Sequence, residues 1–224
     1  MADTQSIGVI APLLAGGFVA SMLDGIHHTA RQHGVPVIVC QGASSSIGKA
    51  QLARHHVGGW ILFLDIAGIE YLTDNKTPAV AVSAAGGTGI CPTVLPDNWG
   101  GAQAVMRHLF EHGHEQIAFI GTMENADIQQ RHASYGAALA ERGLVLDPRL
   151  VADTGGYFEE HGSNAVRELL ARGGAFTAIV TAGDFNALGA IAALRAAGLS
   201  VRDSAAVMDL SKSRFEQLCQ APGG

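Results

Sequence analysis

The sequence predicts an α/β fold of two βα lobes with parallel sheets and a ligand cleft between them. Short β-branched runs alternate with stretches of helical periodicity, and that alternation marks βαβ units, whose strands must be parallel. Apolar residues make up 48% of the 224 residues and charged residues 15%, a balance that suits strands buried on both faces under Ala-rich helices and excludes a disordered polyanion. The alternation restarts near residues 96–100 with no low-complexity linker, which predicts one lobe over 5–97 and a second over 98–224. Parallel sheets bind ligands beyond the carboxyl ends of their strands, so a cleft between the lobes is the expected site.

Each element has its own signal. Ile7-Gly-Val-Ile-Ala11 reads as a buried strand, and the break at Gly16-Gly17 leads into a helix with apolar positions Val19, Met22, Leu23, Ile26 and Ala30, ended by Gly34. Strands follow at 35–40, 60–64, 79–83 and 92–95, with a short helix over 47–56 and a Gly-rich turn over 84–89. Asp97 or Asn98 can cap a helix whose apolar face is Ala102, Val105, Met106, Leu109 and Phe110, closed by Gly113. The second series continues with strands at 117–120, 150–152, 177–181 and 205–208, alternating with helices at 126–142, 158–172 and 184–197.

Charge and cysteine usage remove several classes. With 14 Lys+Arg against 20 Asp+Glu the formal charge is −6, so the basic footprint of a phosphate-backbone binder is missing and nucleic acid is not expected as a direct partner. Cys40, Cys91 and Cys219 are scattered and include no Cys-x-x-Cys pair, which suggests neither a disulfide framework nor a zinc site. No basic leader precedes Ile7, the run to Ala11 is too short for a signal peptide, and no apolar run reaches membrane-spanning length. A cytoplasmic protein without membrane contact is expected.

Taken in order, Ile7-Gly-Val-Ile-Ala-Pro12, Gly17-Phe18, Asp24-Gly-Ile26, Val57-Gly-Gly-Trp-Ile61, Pro96-Asp-Asn98, His108 to His114, Ile117 to Gly121, Gln130-Arg131 with Tyr135, and Thr177 to Asp184 with Ala187-Leu-Gly189 resemble the effector domain of lactose-repressor-type regulators. The resemblance covers nearly the whole chain. It implies a periplasmic-binding-protein-like fold of type I, a small polar ligand such as a sugar or nucleoside, no cofactor, and a side-by-side homodimer, for which the helix over 18–33 offers an apolar side. Repressing members carry a helix-turn-helix before the first strand, where this sequence has six residues, so a domain without its DNA reader is expected. The segments 95–101, 127–131 and 41–56 are also similar to the sensor region of some GGDEF-type diguanylate cyclases, which implies an output domain beyond Gly224. Val207-Met-Asp209-Leu210 departs from the family's Gly-aromatic-Asp turn, and a C-terminally incomplete second lobe is expected.

The resemblance places Arg131 in the ligand cleft with no packing role, where its planar fork could hold a carboxylate, a phosphate or vicinal hydroxyls. It places Asp97 and Asp127 at cleft-facing positions as acceptors, with helix capping as their competing role. Phe18 and Tyr157 are candidate aromatic walls. Asp184, expected to cap its helix, completes the ligand-binding set, and Gly183 stands where relatives often carry a polar contact.

Several segments have the look of catalytic motifs. His108-Leu-Phe-Glu111-His112 matches the inverted zinc-peptidase spacing, but no downstream acidic ligand helix accompanies it and the family segment accounts for it. His27-His28 and His55-His56 are adjacent and cannot share a helical face. Ser44-Ser45-Ser46 lacks the nucleophile elbow, and Gly86-Gly-Thr-Gly89 leads to Pro92 rather than into a helix. No metal or catalytic set is expected. The sequence reading is a non-enzymatic sensor that closes on its ligand and signals to an attached output such as a cyclase. The alternatives are the effector and dimerisation domain of a transcription regulator and, from another class, a metal-dependent hydrolase.

Overall fold

A computed structural model of the chain describes residues 6–43, 57–64, 66, 69, 77–84 and 90–201, and the backbone of 206–209. The helix expected over 47–56, Ser44 to Ser46, the pair His55-His56, the turn at 86–89, Cys219 and the chain end expected to be incomplete lie outside the described residues. The chain divides into two compact units, Met1–Pro96 and Asp97–Gly224.

The first unit contains β1 (Ser6–Ala11), α1 (Gly17–Gln32), β2 (Val37–Gln41), β3 (Val57–Phe63), β4 (Ala79–Val82) and β5 (Thr93–Val94). Its strands form one parallel sheet in the order β2-β1-β3-β4-β5. Gly8 pairs with Trp60 in register, and a Cβ at Gly8 would come within 2.3 Å of the indole, so the bare glycine makes room for the largest side chain of this core. The apolar face of α1 is spent internally. Met22, Leu23 and Ile26 pack against Val9, Ala11, Phe63 and Val82.

The second unit contains α2 (Asn98–Glu111), β6 (Ile117–Gly121), α3 (Ala126–Glu141), β7 (Val151–Asp153), α4 (Glu159–Ala171), β8 (Ala178–Thr181), α5 (Asp184–Ala196) and β9 (Ala206–Asp209). Its sheet is also parallel, in the order β7-β6-β8-β9. Period-two alternation divides the strand side chains between two cores. Ile117, Phe119 and Val180 meet Val105, Met106, Leu109, Tyr135 and Leu139 of α2 and α3. Ala118, Ile120 and Ile179 meet Val166, Leu169, Ala190 and Leu194 of α4 and α5 on the other face. Helix ends follow the glycine rule: Gly34 and Gly113 sit at φ 66° and 80° just past α1 and α2.

Among the described residues no helix is long and apolar enough to cross a membrane. Cys40 and Cys91 are unpaired thiols, and burial pushes the Cys40 thiol pKa up.

Helices α4 and α5 pack backbone to backbone. A Cβ at Gly189 would stand 1.9 Å from the Glu159 carbonyl oxygen, and one at Gly162 would stand 2.2 Å from that of Asn186. Ser163 Oγ donates to the Gly189 carbonyl at 2.9 Å across the same crossing. Gly189→Ala and Gly162→Ala are therefore each expected to lower the unfolding free energy by about 1–3 kcal/mol or more in a urea titration. Gly25→Ala on α1, where a Cβ meets nothing within 4 Å, should be neutral or stabilise by about 0.5–1 kcal/mol. Equal, small effects at all three positions would show that the close crossing is not needed.

Candidate functional site

The carboxyl ends of β6, β7 and β8 converge with the first turns of the helices that follow them, so backbone donors and polar side chains gather at one end of the second unit. Two caps set the starts. Asp97 Oδ1 accepts the Gly100 N–H at 2.8 Å and begins α2, while Asn125 Oδ1 accepts the N–H groups of Asp127 and Ile128 at 2.9 and 3.3 Å and begins α3. These caps place Asn98 in the first turn of α2, and Asp127 and Arg131 one turn apart on α3.

Asn98, Asp127 and Arg131 form a buried polar cluster, with exposures of 4%, 5% and 9%. Arg131 Nε donates to Asn98 Oδ1 at 2.8 Å, and its Nη1 donates to the Ala182 carbonyl oxygen at the end of β8, also at 2.8 Å. Asn98 Nδ2 donates to Gln130 Oε1 at 3.3 Å. Asp127 Oδ1 is buried with no hydrogen-bond partner in the structure. Burial raises the Asp127 pKa above the ordinary carboxylate value, and the opposing pulls of the Arg131 charge and the Asn98 hydrogen bond do not cancel that rise.

A cavity of about 530 Å³ opens between the loops that follow β6 and β7. Its walls are Thr122, Glu124 and Asn125 on one side and Gly156, Tyr157, Phe158 and His161 on the other. The second loop is pinned from below. The Gly156 carbonyl oxygen lies 3.0 Å from Thr122 Oγ1, 2.8 Å from Thr154 Oγ1 and 3.2 Å from Asn186 Nδ2, and Asn186 also donates to the Phe158 carbonyl at 3.1 Å. Asn125 Nδ2 donates to Tyr157 Oη at 3.3 Å, which ties the two walls together.

The predicted site residues are distributed unevenly. Asp127 and Arg131 meet in the buried cluster, and Tyr157 lies on the cavity wall, 41% exposed. Asp97 is exposed and acts as the α2 cap. Phe18 is half-buried near the start of α1 in the first unit. Two expectations need correction. Arg131 is a structural tie as well as a candidate ligand contact, because its side chain joins α2, α3 and the end of β8. Asp184 does not cap its helix: extended Gly183 takes the cap position, and Asp184 falls in the first turn, where its Oδ1 accepts the Phe185 N–H at 3.0 Å.

Sequence reasoning missed Asn186, His161, Thr122 and Thr154. Asn186 carried no readable signal, since the carbonyls it serves lie 28 and 30 residues away. Leu64 and Ser83, at φ 61° and 52°, close β3 and β4 of the first unit in the left-handed region, a cost that non-glycine residues bear where the chain must turn sharply. In the peptidase-like motif, His108 and His112 have ring centroids 4.3 Å apart and His112 Nδ1 lies 2.8 Å from the His108 carbonyl oxygen. Among the described residues no three acidic, Cys or His side chains are grouped to hold a metal.

Parallel-sheet units with polar groups and an aromatic-walled cavity at the carboxyl strand ends define a small-molecule-binding α/β domain. The chain belongs to the family described as periplasmic binding proteins and sugar binding domain of the LacI family, whose model matches residues 4–222. It is 26% identical over 228 residues to the HTH-type transcriptional repressor CytR of Escherichia coli strain K12, an alignment that takes in 98% of this chain and 67% of that protein. Its structure resembles that of the transcription regulator CcpA of Lactococcus lactis, with a TM-score of 0.80 and 25% identity over 92% of this chain and 78% of that one. It also resembles a complex of the transcriptional regulator CelR with cellobiose, with a TM-score of 0.79 and 28% identity over 90% of this chain and 66% of that one. The chain thus spans about two thirds of the length of CytR. It is a ligand-binding regulatory domain and not an enzyme. These relatives are transcription regulators, and they favour the transcription-regulator reading over the cyclase-linked one.

In the ligand-free protein, Arg131→Ala and Asp127→Asn are expected to act in opposite directions. Removing Arg131 strands two acceptors and an uncompensated carboxylate, and should lower unfolding free energy by about 1.5–3 kcal/mol. Asp127→Asn removes a charge that burial disfavours and should stabilise at neutral pH. The Asp127 pKa is higher folded than unfolded, so the native state holds the extra proton. The wild type therefore recovers stability as pH falls through the raised folded value toward 3.8, and the advantage of the variant should close over that window. Denaturant titrations at a series of pH values check this; an Asp127→Asn protein less stable than wild type at neutral pH would contradict it.

Proposed function

We propose that the chain is the effector domain of a lactose-repressor-type transcription regulator, working in the cytoplasm and binding a small neutral polyhydroxyl compound, a sugar or nucleoside. The observation that carries this reading is the buried Asp127 carboxylate oxygen with no partner, under the charge of Arg131 and two residues along α3 from Asn125, which lines an aromatic-walled cavity. A buried acceptor left unsatisfied costs stability in the empty protein, and a ligand hydroxyl donating to it recovers that cost. Tyr157 offers an apolar face for stacking, while Asp97, Asp184 and Phe18 are proposed as further ligand contacts. The relative solved with cellobiose supports a sugar as the first class to test. Ligand favours one state of the domain over another by its difference in affinity, and the output is transcription rather than cyclic-dinucleotide synthesis.

A thermal-shift screen that includes cellobiose and adenosine tests the reading. A ligand at a hundredfold excess over its Kd should stabilise the wild type by about 2.7 kcal/mol. Asp127→Asn should lose most of that shift while remaining folded. Full retention of the shift in this variant would place the ligand elsewhere.

The domain is further proposed to work as a homodimer. Leu188 on α5 and Phe158 before α4 are 46% and 50% exposed, and α1 has no apolar face to offer. Light scattering at micromolar concentration should report a dimer, and Leu188→Glu should shift it toward monomer; a monomeric wild type would remove subunit rotation as the signal.

A further inference from the structure

His161 stands in the first turn of α4 and on the cavity wall. The residue at the cap position of this helix is Phe158, whose ring cannot accept a hydrogen bond, so the usual cap from that position is missing. The reciprocal half of a capping box is present: His161 Nδ1 accepts the Phe158 backbone N–H at 3.3 Å, in the place that Glu or Gln usually fills. An imidazole nitrogen accepts only when it carries no proton, so the neutral ring bears its proton on Nε2. Nε2 lies over Gly156, where a Cβ would approach within 2.6 Å, and no described protein group accepts from it. The Gly156 backbone is itself held by Thr122, Thr154 and Asn186.

From these contacts we infer that His161 is a specificity-determining residue of the cavity: capping α4 fixes its Nε2–H tautomer, and that N–H is the donor a ligand meets there. The inference rests on the cavity being the ligand site proposed above. It selects for ligands that present an oxygen or nitrogen acceptor at this wall. A group that can only donate is disfavoured, because seating it would require the ring to move its proton to Nδ1 and surrender the cap.

Long-range proton–nitrogen NMR spectra of the imidazole at mildly alkaline pH should show the Nε2–H tautomer in the ligand-free protein. His161→Glu keeps a side-chain acceptor for the Phe158 N–H without any donor and should melt near the wild type, whereas His161→Ala should melt lower. With cellobiose and adenosine as probes, His161→Glu should bind whichever one the wild type binds about tenfold more weakly despite its intact cap. An Nδ1–H ring, or wild-type affinity in His161→Glu, in a protein that binds either probe would overturn this inference alone. A wild type blind to both probes, with the Nε2–H tautomer intact, would contradict the ligand-site reading and the donor role with it.

Discussion

The buried Asp127 carboxylate, held near the Arg131 charge with one oxygen unpaired, is the constraint on which the second unit is organised. A carboxylate this deeply buried is tolerated because a guanidinium lies one helical turn away, and that guanidinium is itself fixed by Asn98 and the Ala182 carbonyl. Asn98 is in place because Asp97 caps the helix it begins, and Asp127 because Asn125 caps the next. Two ordinary caps therefore aim the functional side chains. What remains unsatisfied in this cluster is Asp127 Oδ1, on the helix that follows β6, at the end of the sheet where ligands of parallel sheets bind.

Rigidity comes from the opposite face of the same sheet. The glycine-mediated crossing of α4 and α5 brings Asn186 under the loop that follows β7, and its carboxamide holds two carbonyls of that loop. Tyr157, Phe158 and His161 thus form a wall whose position is decided by helix packing rather than by loop chemistry. A site held this way is preorganised, so less ordering is required when a ligand arrives.

The fold was legible in the sequence because period-two strands and 3.6-period helices leave different traces, and because glycines such as Gly34 and Gly113 mark helix ends. The site was legible only through family resemblance, which pointed to Arg131 and Asp127 but supposed that the arginine had no packing role. Its bonds to Asn98 and Ala182 join residues 33 and 51 positions away, and no local pattern encodes them. Asn186 was invisible for the same reason, whereas the His161 contact is local, to the Phe158 N–H three residues back, in a place where Glu or Gln is the usual signal. The misassignment of Asp184 was a shift of one residue, since an extended glycine can end a loop as well as a capping carboxylate can. The cyclase-linked subtype rested on short segments, and alignments over nearly the whole chain outweigh them.

Asp127 is a buried, unsatisfied acceptor in the ligand-free protein, with Arg131 its main electrostatic support. Carbon-detected NMR titration of the Asp127 side-chain carboxyl tests this most directly. The account predicts a midpoint above the ordinary value of 3.8 in the ligand-free protein, moving higher still in Arg131→Ala as the opposing charge is removed. A midpoint at or below 3.8, or one that Arg131→Ala leaves unmoved, would contradict it.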